Sequence, residues 1–489
     1  MSPGHAAQTP LTRWRSTRAR HDADRRYAIL GWIDRIAILV FFVLILYTLV
    51  GSTPFQHEVI DTARNTEGSS LNRYIWFALL GLSLPVLWAR FTATLGLLKA
   101  IWPLLLLYMW FGLTTLWAID PAASQRRFLS YSIALVIALA VTVGIRRSRT
   151  YLATMAAACA LVMLIDFASW IFLPSLSMTK LGLAGLHSQK NTLGFIAMFS
   201  SFVIAACALG QKTLITRLLW WGMVAVTLLV LAASQSKTSL ILALSAFLLA
   251  PVITLVARGS VALIWISVVM IPLVAVLALF LWLGICGISG IDPMSPLHGV
   301  TFTSRTDVWS YVLSEIAKHP WTGAGFGSFW DIDPALQPSL RSGLWFADIE
   351  NNNVANEAHN GYLDLTVTTG YIGSIGAILL LARWIWLAFR TLRTMPDTIG
   401  GHLVTGPDKD LPLAILSTIF LVFFAYHNLL ESSYFYASNY IGGLIFLFFA
   451  LKVEQWNRDG KVAAKNLRPD RQRPLPWRAL RESALAGRS

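Results

Sequence analysis

The 489-residue sequence contains few charged residues and few cysteines. Charged side chains make up 13% of it, against roughly 25% in soluble domains, while hydrophobic residues reach 56%. This shortage of charge excludes an ordinary soluble domain. The three cysteines, Cys159, Cys207 and Cys286, all fall within apolar runs, which excludes a disulfide framework of the secreted type.

What the sequence has instead is a series of apolar runs of membrane-spanning length. A helix needs about 20 mostly apolar residues to cross the hydrocarbon core of a bilayer. We therefore predict an all-α polytopic membrane protein of about twelve transmembrane helices, with one large periplasmic loop that contains short amphipathic helices. The predicted spans are 33–50, 74–90, 97–118, 128–145, 151–173, 192–209, 214–233, 238–257, 261–286, 361–390, 411–430 and 436–453.

Lysine and arginine are distributed unevenly among the predicted loops. The formal net charge is +14, and the excess lies in both termini and in alternate short loops, as the positive-inside rule requires of cytoplasmic segments. This pattern favours membrane orientation over nucleic-acid binding. It predicts a basic cytoplasmic tail over 1–30, a membrane domain over 31–455 with a periplasmic loop over 287–358, and a basic, disordered cytoplasmic tail over 456–489.

A few cations lie on the predicted outer face, against this trend. Lys190 and Lys237 stand at the starts of predicted spans, and Arg305 lies in the large loop. Helices that begin on the outer face point their positive dipole ends and free N–H groups outward, where they can bind an anion. If these helix starts converge, they form a phosphate or pyrophosphate site that His187 and Asn191 could line. The alternative for each cation is snorkelling at a helix end.

The large loop is predicted to contain an amphipathic helix around Arg305. Ser304 and Asp307 form a capping-box pattern at its start. Beyond this helix, the glycines of residues 323–327 resemble a phosphate loop only superficially, since no strand precedes them; a turn is favoured. The apolar face of the helix would consist of Val308, Trp309, Val312, Leu313 and Ile316.

His359 stands in a polar run directly before a predicted span. A helix N-terminus disfavours the imidazolium, so we expect a neutral ring that can accept a proton near pH 7, with Glu357 opposing this if it is close. Such a histidine can act as a general base toward a sugar hydroxyl, with Asn360 and Tyr362 lining the site. The structural alternative is an N-cap histidine without a chemical role.

Several other polar residues admit two interpretations. His427, with Glu431, ends a predicted span on the outer face and either lines the same site or caps the helix. Asp331 and Asp333 could bind a divalent metal, although an acidic pair of this kind is common by chance. Asp166 lies inside an apolar run, which makes it a functional candidate, and the sequence indicates no partner for it.

In five segments the sequence resembles the superfamily of O-antigen ligases and Wzy-type polymerases. They are residues 185–194 (GLHSQKNTLG), 305–309 (RTDVW), 319–327 (HPWTGAGFG), 358–363 (AHNGYL) and 370–373 (GYIG). Each motif alone is loose, but all of them in this order are specific, and the resemblance covers roughly 30–455. The forms of the first and third motifs are most similar to exopolysaccharide polymerases of the ExoQ type.

The resemblance implies an inverting glycosyl transfer without metal or cofactor, on the periplasmic face of a bacterial inner membrane. The donor would be a glycan on undecaprenyl pyrophosphate, the acceptor another glycan, and further partners could include a chain-length regulator and export machinery. Arg305 and Lys237 would hold the pyrophosphate, and His359 would activate the acceptor hydroxyl. The family commonly has arginine where this chain has Lys237, and lysine lacks the bidentate fork.

Other functions remain open at the level of sequence. An O-antigen ligase, which moves the glycan to lipid A-core, would share these residues with a polymerase and differ in acceptor. A lipid-linked glycan transporter would place polar residues and broken helices near the membrane midplane. The candidate residues cluster at outer helix ends instead, which favours an enzyme.

Overall fold

The computed structural model describes residues 10–51, 54–56, 70–259, 303–348, 353–395, 410–435 and 440–466, with a few single positions between 277 and 289. Almost all regular structure in them is helical. The helices are α1 (Pro10–Val50), α2 (Ser70–Ala89), α3 (Phe91–Ala100), α4 (Trp102–Thr114), α5 (Pro121–Gly144), α6 (Ser148–Phe172), α7 (Pro174–Ser177), α8 (Lys190–Leu209), α9 (Leu214–Ala233), α10 (Lys237–Arg258), α11 (Thr303–Lys318), α12 (Gly361–Arg393), α13 (Leu411–His427) and α14 (Tyr440–Asn466).

The other elements are short. Two 3₁₀ turns span Thr115–Trp117 and Pro338–Arg341. Two antiparallel strand pairs complete the description: β1 (Met178–Thr179) with β2 (Gly182–Leu183), and β3 (Ala347–Asp348) with β4 (Asn353–Val354).

Among the described residues, eight helices are long and apolar enough to cross a membrane, or nine if one bent pair counts as a single span. The prediction of an all-α polytopic membrane protein is therefore confirmed. The eight are α2, α5, α6, α8, α9, α10, α12 and the Leu30–Val50 part of α1.

Two predicted spans differ from the structure, and a third lies outside the continuously described residues. The span 97–118 is not straight: α3 and α4 meet at an angle of 76° around Ile101, just before the proline at the start of α4. The span 411–430 is a shorter apolar helix, α13, and 261–286 lies outside the continuously described residues. The count of about twelve stays a prediction. Helix α14 also continues to Asn466, so the first part of the predicted disordered tail is helical.

Helix α8 lies at the centre of the bundle and brings the predicted site elements together. It is buried from residue 193 to 208 and packs against α6, α9, α10 and α13. Its many alanine, glycine and serine residues let neighbouring backbones approach closely, as is typical of helix contacts in membranes. Helix α10 in turn packs against α12 and α13. The three helices that begin near Lys190, Lys237 and His359 thus belong to one packed unit.

Helix α11 forms a second, smaller core above the bundle. Val308, Val312 and Ile316 are buried there, together with Phe329, Trp330 and Phe346, whereas Leu313 of the predicted apolar face is 53% exposed. The predicted capping box is not what starts this helix, since α11 begins at Thr303 and the Asp307 carboxylate accepts a hydrogen bond from the Trp345 indole at 3.1 Å.

The segment after α11 interrupts helix α12. Gly370 has φ +68° and ψ −178°, so the helix is broken there, and the backbone groups freed by the break bond to residues 320–324. The Tyr371 N–H donates to the Pro320 carbonyl at 2.8 Å, and the Ala324 N–H donates to the Val367 carbonyl at 2.8 Å. A methyl group on Gly370 would lie 2.2 Å from the Trp321 carbonyl oxygen. The three glycines of 323–327 have positive φ, as the predicted turn requires, and Gly323 packs against α12 while Gly325 packs against Ala118.

The structure supports a labelling test of the predicted sidedness. Ser314 is exposed on α11, and Thr213 is exposed between α8 and α9, while all three native cysteines are buried. We expect cysteine at Ser314 to react with an impermeant thiol reagent in intact cells, because the loop that contains α11 is predicted to be periplasmic. Cysteine at Thr213 should react only after the membrane is opened. The reverse pattern would invert the topology.

Candidate active site

His359 occupies a strained position immediately before α12. Its φ is +48°, in the left-handed region that residues other than glycine adopt rarely and often at functional sites. The N-cap of α12 is Asn360, whose Oδ1 accepts from the N–H groups of Tyr362 and Leu363 at 3.1 and 3.2 Å. Because Asn360 provides the cap, the interpretation of His359 as an N-cap histidine is wrong, and its side chain is available for other contacts.

A buried carboxylate in the first turn of α12 holds this segment in place. Asp364 is 2% exposed and accepts hydrogen bonds from three segments of the chain. The donors are the Trp330 indole at 2.6 Å, the Ala358 N–H at 3.1 Å and the Ser432 hydroxyl. The Ala358 carbonyl accepts from the Trp309 indole at 2.8 Å. The residue before His359 is thus fixed on both sides of its backbone.

Two carboxylates contact the same nitrogen of the His359 ring. Nδ1 lies 2.9 Å from Glu357 Oε1 and 3.2 Å from Glu431 Oε2. The other oxygen of Glu431 lies 3.4 Å from Arg305 Nη2, and Arg305 Nη1 donates to the Leu430 carbonyl at 2.8 Å. Arg305, Glu431, His359 and Glu357 therefore form one continuous polar cluster, which we call the His359 cluster.

The carboxylates reverse the expected charge of His359. Burial would lower the pKa of the imidazole, but hydrogen bonds and charge attraction from Glu357 and Glu431 raise it to about 10. Burial raises the pKa of Glu431 in turn, but His359, His427 and Arg305 together lower it below its usual value. The prediction of a neutral His359 is wrong: the ring is an imidazolium at pH 7. This pairing stabilises the fold fully below pH 6.5, and its contribution is lost as the pH rises toward 10.

Residues 427–434 form a capped turn that supports the cluster. His427 is 4% exposed, and its ring lies 4.7 Å from that of Phe195 at the start of α8. The Asn428 side chain accepts from the N–H groups of Ser433 and Tyr434, at 3.0 and 2.7 Å. Asn428 therefore caps the end of α13, His427 remains a candidate for lining the site, and Glu431 is the residue of this turn that contacts His359.

The motif at the start of α8 is also held by a buried carboxylate. Asp166 on α6 accepts from the Leu186 N–H at 2.8 Å and lies 3.1 Å from His187 Nε2, and both side chains are fully buried. His187 is thus the partner that the sequence did not indicate for Asp166. Because its side chain is fully buried, His187 positions the loop before Lys190 and does not line an open site.

The predicted lysines do not contact the His359 cluster. Gly194 allows the starts of α8 and α10 to meet, since a methyl group there would lie 2.4 Å from Ser236 Cβ. Lys190 Nζ donates to the Leu181 carbonyl at 3.4 Å, Lys237 is exposed, and Asn191 is exposed. Within the described part of the chain, no hydrogen bond or ion pair connects Lys190 or Lys237 to the His359 cluster.

The remaining candidates have structural or undecided roles. The Tyr362 hydroxyl donates to the Ala425 carbonyl at 2.8 Å, which ties α12 to α13. The Asp333 carboxylate accepts from the Ala335 N–H at 2.9 Å, as expected of a turn residue. Glu357, His359 and Glu431 offer atoms within 4.8 Å of one another, close enough to hold a cation. The guanidinium beside Glu431 disfavours a second positive charge there, and we assign no metal ligand.

The sequence analysis missed two residues that organise the site. Asp364 is an acid close to the start of an apolar span, a signal that could have drawn attention to it. Arg127 on α5 donates to the carbonyls of Gly327, Trp330 and Asp331, the second at 2.8 Å. Nothing in the sequence near Arg127 indicates this contact, because its acceptors lie about two hundred residues away.

The contacts of Asp364 predict a specific defect on its removal. Asp364→Ala should leave the indole, amide and hydroxyl donors buried without acceptors, at a cost of about 1–3 kcal/mol for each unpaired group. We expect a clearly lower unfolding temperature in detergent. Asp333→Ala, in the same outer region but at an exposed turn, should change it little. Equal effects of the two substitutions would contradict the anchoring role of Asp364.

One comparison with known proteins identifies a family. A family model described as O-antigen ligase matches residues 222–378, a segment that contains Lys237, Arg305 and His359. A search of curated proteins finds no match. The match supports a role in glycan assembly, as a polymerase or ligase, and implies lipid-linked glycan and acceptor substrates. Residues 222–378 thus match the O-antigen ligase family, which supports the predicted resemblance to the O-antigen ligase and Wzy-type polymerase superfamily, in a chain that is a multi-pass membrane protein.

Proposed function

We propose that the protein transfers glycan from undecaprenyl pyrophosphate to a glycan acceptor, with inversion, on the periplasmic face of a bacterial inner membrane. It would thereby polymerise exopolysaccharide or O-antigen repeat units, as exopolysaccharide polymerases of the ExoQ type do. The observation that carries the proposal is the contact of one carboxylate, Glu431, with both Arg305 and His359. An anion-binding side chain and a proton-accepting side chain are thus held side by side.

Arg305 is the residue best placed to hold the pyrophosphate. Its guanidinium is 24% exposed, so a ligand can reach it, and its planar fork suits phosphate oxygens. The starts of α8 and α10 add the charges of Lys190 and Lys237 and the positive ends of two helix dipoles. These cations take the place that a divalent metal has in other pyrophosphate sites, and we propose that the reaction is metal-independent.

His359 is proposed as the base that deprotonates the acceptor. With Nδ1 turned to Glu357 and Glu431, its Nε2 has no hydrogen-bond partner among the described residues, and the side chain is 41% exposed. A carboxylate on Nδ1 leaves the lone pair of the neutral ring on Nε2 and stabilises the imidazolium formed later. Because the pKa of His359 is about 10, the neutral ring is a small fraction at pH 7. This fraction increases about tenfold for each unit by which the pH rises, until the pH approaches the pKa.

The chemical step follows from this placement. Nε2 of the neutral His359 takes the proton of the acceptor hydroxyl, and the oxygen attacks the anomeric carbon on the side opposite the leaving group. The bond between that carbon and the pyrophosphate oxygen breaks, and its electron pair leaves with undecaprenyl pyrophosphate, held by Arg305. The new glycosidic bond therefore has the inverted configuration. The proton leaves His359 before the next turnover.

Substitution of Arg305 tests the donor site. Arg305→Ala should lose a charge-assisted contact worth about 1.5–3 kcal/mol, which corresponds to about a ten- to hundredfold loss of donor use. Arg305→Lys should recover part of it, because the charge remains but the bidentate geometry is lost. Arg341→Ala, which removes an exposed arginine from the same outer region, serves as the control. Full activity of Arg305→Ala at normal expression would dismiss the pyrophosphate role.

Substitution of His359 tests the base. His359→Gln, and His359→Asn, which tolerates the positive φ, should still bind donor while polymerisation falls by about 10²–10⁴. The wild-type rate should increase with pH up to about 10, since the neutral ring is the active form. The assay uses purified protein with defined lipid-linked repeat units, and His319→Gln is the control from the same outer region.

A chelator added to this assay should leave the rate unchanged. A chelator-sensitive rate together with an active His359→Gln variant would move the chemistry to other residues. Movement of the lipid across the bilayer without any glycan extension would support a transporter.

A further inference from the structure

Glu431 is the side chain that joins the two halves of the proposed mechanism. Oε1 lies 3.4 Å from Arg305 Nη2, and Oε2 lies 3.2 Å from His359 Nδ1. Glu357, the other carboxylate on the ring, contacts His359 and has no ion pair to Arg305 among the described residues. Any anion that binds Arg305 through the same face must therefore compete with Glu431.

The backbone of Glu431 is held rigidly against the His359 segment. Its N–H donates to the His427 carbonyl at 2.9 Å, and its own carbonyl accepts from the Gly361 N–H at 3.3 Å. The next residue, Ser432, donates to Asp364, which also holds the amide before His359. Such bonds on both sides fix the carboxylate relative to the ring, as a preorganised site requires.

The charged groups around the ring come from four elements. Glu357 lies on the loop before α12, Glu431 follows α13, Arg305 lies on α11, and Asp364 lies in the first turn of α12. His427 on α13 is close enough for its charge to affect Glu431. Of these, Glu431 has an oxygen on the proposed base and another on the proposed donor ligand.

We propose that Glu431 is a positioning residue that couples the two sites: it orients His359 through Nδ1 and competes with the donor pyrophosphate for Arg305. The inference rests on the proposed function. When the pyrophosphate binds, it replaces Glu431 on the guanidinium, and Glu431 keeps its contact with the ring. The carboxylate thus opposes donor binding and assists the chemical step.

These opposing roles predict that substitution of Glu431 lowers both the donor KM and kcat, a combination that damage to the fold would not produce. In the full-length protein reconstituted with a defined lipid-linked repeat unit, Glu431→Gln should lower the donor KM about two- to fivefold, because a competitor for Arg305 has lost its charge. At the same time kcat on the high-pH plateau, where the ring is neutral in both proteins, should fall about tenfold or more, because the ring is held less well. The pH at which the rate levels off should move below that of the wild type, because one of the two carboxylates that raise the pKa is gone.

Two charge-matched variants separate the roles. Glu357→Gln should also lower the pH of the plateau but leave the donor KM unchanged, since Glu357 does not contact Arg305. Glu315→Gln removes a carboxylate of α11 that pairs with Lys318 outside the cluster, and should alter neither quantity. If Glu431→Gln fails to fold, Glu431→Asp keeps the charge but is too short to reach both partners. Glu431→Asp should then show a lower kcat than the wild type, and a shift of the pH profile smaller than that expected for Glu431→Gln.

The outcomes distinguish this inference from the function on which it rests. A wild-type KM and pH profile in Glu431→Gln, with His359→Gln inactive, would overturn the coupling alone. A raised donor KM in Glu431→Gln would overturn the competition. Full activity of His359→Gln would overturn the proposed base and, with it, the positioning role.

Discussion

The site depends on the hydrogen bonds that converge on one buried carboxylate, that of Asp364. An ionisable group that is 2% exposed is tolerated only when donors surround it, and here the donors belong to Trp330, Ala358 and Ser432. The last two residues stand next to His359 and Glu431 in the chain. Satisfying Asp364 therefore determines how the two reactive side chains face each other, although Asp364 itself contacts neither ring nor guanidinium.

Charge balance is the second constraint on the site. With His359 protonated, the imidazolium and Arg305 carry two positive charges, and Glu357 and Glu431 carry two negative ones. The cluster is then neutral overall, which makes its partial burial tolerable, since unpaired charges are costly away from water. A pyrophosphate would add negative charge to this balance. The lysines at the starts of α8 and α10, two helices of the same packed unit, are cations that could compensate for it.

The sequence predicted the helical membrane fold well, because apolar run length is a local signal. The apolar face of α11 was recognised for the same reason, apart from Leu313. Contacts between distant segments could not be predicted. The charge of His359 was misjudged because Glu431, one of the two carboxylates on its ring, lies 72 residues away, and because the sequence does not show that Glu357 turns toward the ring. Asp166 had no evident partner because His187 follows 21 residues later, across a turn.

The breaks in the helices were the other feature that could not be predicted from the sequence. Nothing in the run 97–118 except one proline indicates the bend at Ile101. The break at Gly370 requires the segment after α11 to be folded against it, and hydropathy does not report such a contact. Length and composition therefore predicted where helices lie, while their interruptions depend on tertiary hydrogen bonds.

The break at Gly370 also divides α12 into two parts with different roles. The part below it, residues 371–393, is about 35 Å long, enough for a hydrocarbon core of about 30 Å. The part above it, residues 361–369, adds about 14 Å and ends at the strained histidine. Residues 371–393 alone are therefore long enough to cross the hydrocarbon core, while the upper part carries the Gly361 N–H and the Asp364 carboxylate that hold Glu431 and Ala358 in place. The Tyr434 hydroxyl, which donates to the Ala377 carbonyl at 2.6 Å, is a link through which a shift of the lower part would reach the turn that holds Glu431.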